Sequence, residues 1–65
     1  MNENQKPACK LIGEDGNAFN IIGIVAKCLK QSDMTKKSAE YVTKAFECKS
    51  YNELLQLTME YVEVK

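Results

Sequence analysis

The loop Gly13-Glu14-Asp15-Gly16-Asn17 offers the most suggestive local chemistry in this chain. A glycine-bearing loop ahead of a helix N-terminus can cradle an anion on its free N–H groups. Here Glu14 and Asp15 stand where a phosphate would lie, and no Lys or Ser/Thr follows in a P-loop position. Asp15 and Asn17 also match the first two ligand positions of an EF-hand loop. However, Asn20 replaces the glycine expected at the sixth position and Ala26 the glutamate expected at the twelfth, so the ligand count fails. The loop therefore reads as a tight Asp-Gly turn followed by Asn17 as a helix N-cap. No metal site and no cofactor site is expected.

Catalytic chemistry fares no better. The chain contains no His, Arg or Trp. A cysteine nucleophile needs a base, and His is the usual one near neutral pH. Ser32, Ser38 and Ser50 fall at expected helix starts or first turns, where capping accounts for them. Two cooperating carboxylates would need a cleft, and 65 residues leave little room for one. The expectation is a protein that is not an enzyme. Cys9, Cys28 and Cys48 are odd in number and form no C-x-x-C pair. With no secretory signal ahead of them, they are expected to be reduced thiols acting as small hydrophobes in a cytoplasmic protein.

All nine basic residues are lysines, balanced by nine acids to a net charge of zero. Lys27, Lys30, Lys36 and Lys37 flank one helix junction and form a candidate nucleic-acid patch, each lysine adding salt-dependent affinity for phosphate. The base-reading residues of a helix-turn-helix are missing, since the second helix offers Lys36, Lys37, Glu40 and Lys44 in their place. A solvated, ion-paired face is the favoured reading, and nucleic-acid binding is the alternative. Residues 18–29 are the most apolar run. They are interrupted by Asn20 and Lys27 and fall short of the roughly 20 residues a bilayer requires, so no membrane span is expected.

These residues sit on a simple series of elements. Residues 1–7 are polar and read as a flexible tail ahead of a single domain over 8–65. Residues 8–13 read as a strand. The first helix is expected over Ala18–Gln31, where apolar side chains sweep about 220° of the helical wheel against the 100° or so of a surface helix. Such a helix needs neighbours on two sides and is therefore central. A second helix over 35–48 carries Ala39, Val42 and Phe46 as its apolar stripe, with Tyr41, Ala45 and Cys48 on one shoulder. Lys36, Glu40 and Lys44 at i,i+4 spacing support it from the opposite face. Ser32, Asp33 and Thr35 offer capping oxygens between the two helices. Ser50-Tyr51-Asn52-Glu53 matches a capping box and starts a third helix, which gives way near Glu60 to an alternating strand over 61–64. Lone strands cannot satisfy their backbone groups. The two are therefore paired into a ribbon on the first helix, giving an α+β fold of order β-α-α-α-β with the strand direction left open.

The stretch Leu-Ile-Gly-Glu-Asp-Gly-Asn-Ala-Phe at 11–19, Lys-Cys-Leu-Lys at 27–30 and Met-Glu-Tyr-Val-Glu-Val at 59–64 resembles a group of short uncharacterised proteins from Gram-positive gut bacteria and their phages or integrated elements. The resemblance covers nearly the whole chain, implies a bacterial or phage accessory protein, and transfers no catalytic residue. A domain this small buries only about 60% of its unfolded surface, so it gains by burying apolar surface against a partner. The leading expectation is accordingly a non-enzymatic protein-interaction module, a homodimer or an adaptor. The Tyr41, Ala45 and Cys48 shoulder and the free ribbon edges are its candidate surfaces.

Overall fold

Asn17 opens the first helix as its side chain predicts, with Oδ1 accepting the N–H of Phe19 at 2.8 Å and of Asn20 at 3.4 Å. The computed structural model describes residues 6–11 and 16–65. Within them the order is β1 (Ala8–Cys9), α1 (Ala18–Gln31), α2 (Thr35–Glu47), α3 (Tyr51–Tyr61) and β2 (Glu63–Val64). This is the expected α+β arrangement. α1 touches β1, α2 and α3, and its Val25 and Leu29 are wholly buried. The wide apolar arc is thus covered from several sides. None of the helices among the described residues is long and apolar enough to cross a membrane.

The turn between α1 and α2 is made by backbone, not by the capping oxygens expected of Ser32, Asp33 and Thr35. Asp33 takes φ 61°, a left-handed conformation that Asp tolerates better than most residues. Its N–H bonds the Lys30 carbonyl at 3.2 Å and the Met34 N–H bonds that of Leu29 at 2.9 Å, which together form a Schellman stop. Met34 then precedes α2 without a side-chain cap. The capping box at α3 does form. Ser50 Oγ accepts the Glu53 N–H at 3.1 Å, while the Glu53 carboxylate reaches back to the Lys49 N–H at 3.2 Å, one residue before the expected one.

β1 and β2 pair in parallel, with Ala8 opposite Glu63 and Cys9 opposite Val64. The Glu63 and Lys65 N–H groups donate to Pro7 and Cys9, each at 2.9 Å, and the Leu11 N–H donates to Lys65 at 2.8 Å. Both strands are shorter than expected, and residues 12 and 13 of the anticipated first strand lie outside the described residues. Lys6 and Pro7 were assigned to the flexible tail. They are instead held to the domain, Pro7 by its bond from Glu63 and Lys6 by a 2.8 Å bond from its ammonium to the Met59 carbonyl. The cysteines also differ from expectation: Cys9 and Cys28 are joined in a disulfide, with Cα atoms 5.9 Å apart, and Cys48 is the free thiol. Laying β1 along α1 brings together these residues, 19 apart in the chain, a proximity that neither the odd cysteine count nor the lack of a C-x-x-C pair reveals.

The second helix is rotated relative to its apolar pattern. Ser38, Tyr41 and Ala45 are its buried residues, whereas Ala39 and Phe46 are exposed and Val42 is half-buried. The reason is polar. Thr58 Oγ1 donates to the Leu54 carbonyl and accepts the Tyr41 hydroxyl, both at 2.8 Å, while Ser38 Oγ donates to the Ala26 carbonyl at 3.0 Å. Buried hydroxyls satisfied in this way no longer count against burial. Burial raises the Tyr41 phenol above its ordinary pKa, so it stays a neutral donor.

The direction of that relay makes two substitutions unequal. Tyr41→Phe removes a donor while Thr58 keeps the bond it donates to the Leu54 carbonyl, and is expected to cost about 1 kcal/mol in denaturant unfolding. Thr58→Val strands a buried phenol and should cost more, about 2–3 kcal/mol. Equal losses would contradict the relay. A Cβ built at Gly23 meets nothing within 4 Å, which leaves the glycine tolerated and not required by packing. Gly23→Ala is therefore expected to raise unfolding stability by about 0.5–1 kcal/mol in the same assay.

Candidate functional site

The roll of α2 relocates the candidate surface. Tyr41 and Ala45 are buried in the core and Cys48 is half-buried, so the Tyr41, Ala45 and Cys48 shoulder is not an open interaction face. This corrects the sequence expectation, and its cause is the hydroxyl pairing that turns Tyr41 inward. Among the described residues, the large hydrophobic side chains left in solvent are Phe19 at 71% exposure, Phe46 at 62%, Met59 at 51%, Tyr51 at 46% and Val64 at 40%.

These five residues surround two neighbouring grooves. One, of about 310 Å³, is lined by Phe19, Ile22, Phe46, Cys48, Tyr51 and Leu54 among others, with Ala45 also contributing. The other, of about 320 Å³, lies among Leu11, Gly16, Ile21, Tyr51, Leu55, Met59 and Val64. Tyr51 belongs to both. Its hydroxyl donates to the Gly16 carbonyl at 2.5 Å, which ties the start of α3 to the entry of α1. The Phe19 and Phe46 rings sit 6.1 Å apart, inclined at 43°, within the range of a favourable aromatic pair.

A readable signal existed for Phe19. On a wheel of 100° per residue it lies about 20° from Lys30 and about 40° from Gly23, at the wet end of the apolar arc. Phe46 carried no such sign, because it sat in the middle of the stripe taken for the core.

Lys27, Lys30, Lys36 and Lys37 are all exposed. Lys36 and Lys37 share a shallow depression with Asp33, Met34 and Thr35, whereas Lys27 and Lys30 do not line it. An acid therefore stands inside the basic patch. The loop considered for anion or calcium binding falls largely at 12–15, outside the described residues, and only its Gly16 and Asn17 are seen. Among the described residues no three His, Cys, Asp or Glu side chains gather as a metal site. The Cys48 thiol has its pKa raised by desolvation and by the charges of Glu53 and Glu47, which opposes formation of a nucleophilic thiolate.

One charged cluster sits on the outer side of the α2–α3 contact. The Tyr61 hydroxyl donates to Glu40 Oε1, and Lys44 Nζ reaches the same oxygen at 3.7 Å while standing 6.0 Å from the Tyr61 ring centre. The ion pair is the Glu40–Lys44 half of the anticipated i,i+4 series. Tyr61 in turn packs edge-on against Tyr41, with ring centres 5.4 Å apart.

Compared with known proteins, the chain matches no family model, no curated protein and no solved structure. The reading of its site rests on geometry.

The Tyr61 hydrogen bond, followed by the Lys44 charge, holds the Glu40 carboxyl below its ordinary pKa. A carboxyl whose folded pKa is lowered adds stability that is complete above its unfolded pKa and is lost as pH falls through the folded one. Tyr61→Phe is expected to shift the Glu40 titration upward, read from its carboxyl carbon by NMR. A titration unchanged by Tyr61→Phe would show that the hydroxyl does not hold this charge.

Proposed function

We propose that this chain is a non-enzymatic protein-interaction module that binds a partner through the apolar face of Phe19, Phe46, Tyr51, Met59 and Val64. The observation carrying this reading is that, among the described residues, all five exposed large hydrophobic side chains border two grooves joined at Tyr51. Taking about 200 Å² per ring, the exposed parts of Phe19, Phe46 and Tyr51 alone amount to roughly 350 Å². Patches of that order on a monomer are often functional. The partner is another protein or a second copy of this chain. A bacterial or phage accessory role is part of the proposal and rests on the resemblance of the 11–19, 27–30 and 59–64 segments.

Binding of nucleic acid by Lys27, Lys30, Lys36 and Lys37 is the weaker reading, given the Asp33 carboxylate beside Lys36 and Lys37 and the zero net charge. The cytoplasmic setting expected from the sequence implies reduced cysteines. The Cys9–Cys28 pair favours a setting in which thiols oxidise.

The test compares wild type with the Phe19→Ser/Phe46→Ser double variant. Both positions are exposed, so unfolding stability should change by no more than about 0.5 kcal/mol per site. Immobilised wild type should retain a defined protein from a bacterial lysate, identified by mass spectrometry, or self-associate in sedimentation equilibrium. The double variant should do neither. Identical retention and identical sedimentation for the two proteins would refute this face as the binding surface.

A further inference from the structure

We propose that the Cys9–Cys28 disulfide is a redox latch: a dithiol reductant releases β1 from α1 while the three-helix body stays folded. Beyond the chain itself, the disulfide is the covalent cross-link between the N-terminal strand and the helices. Among the described residues, β1 is otherwise held by a ribbon of two residues on each strand, secured through the Glu63, Lys65 and Leu11 N–H groups, by the neighbouring Lys6 bond to Met59, and by burial of the Cys9 side chain. A two-stranded ribbon of this length is marginal alone. From β1 only Cys9 belongs to the core cluster, and the rest of that core is built by the helices and Val62. Tyr41 bonds Thr58 between α2 and α3, Ser38 bonds Ala26 between α2 and α1, and Ile22, Val25, Leu29, Ala45 and Leu54 fill the space between them.

The two cysteine residues are unequally exposed. Cys9 is buried and Cys28 is half-exposed, so the thiolate of the reductant attacks the Cys28 sulfur. The sulfur–sulfur electron pair leaves on Cys9, which takes up a proton. The second thiol of the reductant then displaces Cys28 from the mixed disulfide. Two electrons and two protons pass to the two cysteines, and the dithiol becomes a disulfide. A closed loop of about 20 residues favours the latched state by roughly 100-fold over an unlinked chain.

Amide exchange followed by NMR tests this on the full chain before and after treatment with dithiothreitol. Intact mass first establishes the oxidised form, which is two hydrogens lighter than the fully reduced chain. Reduction should speed exchange at Leu11, Glu63 and Lys65 by roughly 100-fold. Val25, Leu29 and Leu54 should keep their protection. The Cys9→Ser/Cys28→Ser double variant should show the reduced pattern without reductant, and Cys48→Ser should still respond to it. Unchanged exchange at Leu11, Glu63 and Lys65 overturns the proposal, as does an intact mass showing three thiols in air. Equal loss of protection throughout, or a double variant that cannot fold, overturns it too, because the disulfide would then hold the whole domain and not one strand.

Discussion

The hydrogen bond from Tyr41 to Thr58 sets the rest of the arrangement. A phenol can be buried only if its hydroxyl finds a partner, and Thr58 is the partner that α3 provides. Meeting that requirement fixes the roll of α2, placing Ser38 and Ala45 inward beside Tyr41. Phe46 is carried outward as a consequence. It meets Phe19 from α1 at the surface, so the exposed aromatic pair results from a polar constraint inside the core. A hydrophobic stripe left to itself would have buried Phe46 and exposed Tyr41.

The same constraint explains what was legible beforehand. α1 was readable in full, because Asn17 is a strong N-cap and the apolar arc is too broad for any role but a central one. The start of α3 was readable from Ser50 and Glu53, whose side chains act within one turn. These are local signals. The roll of α2 was not readable, since the choice between the Ala39, Val42 and Phe46 stripe and the Ser38, Tyr41 and Ala45 stripe depends on Thr58 and Ala26, residues of other helices. The disulfide was hidden for a related reason. Three cysteines give no pairing by themselves, and proximity of Cys9 to Cys28 exists only once β1 has docked.

Strand direction follows from the number of times the chain turns back. An odd number of helices, each returning the chain, leaves the second strand running with the first, and parallel pairing is observed. Parallel strands need a long crossover, and here three helices make up that connection. The cost is a high separation between the paired residues, Ala8 with Glu63 and Cys9 with Val64, for only a few backbone bonds. A tie between β1 and α1 at Cys9 offsets that cost, because β1 is then placed by a covalent bond as well as by its hydrogen bonds to β2.

The candidate site lies where this construction has least material. The C-terminal end of α2 and the N-terminal ends of α1 and α3 converge around Phe19, Phe46 and Tyr51, and the Tyr51 hydroxyl on the Gly16 carbonyl bridges α3 to the entry of α1. On the far side of Tyr51 the ribbon ends at Val64, leaving Met59 and Leu55 open beside it. Among the described residues the apolar surface thus lies at the seams between elements, and this is the face proposed to receive a partner's side chains.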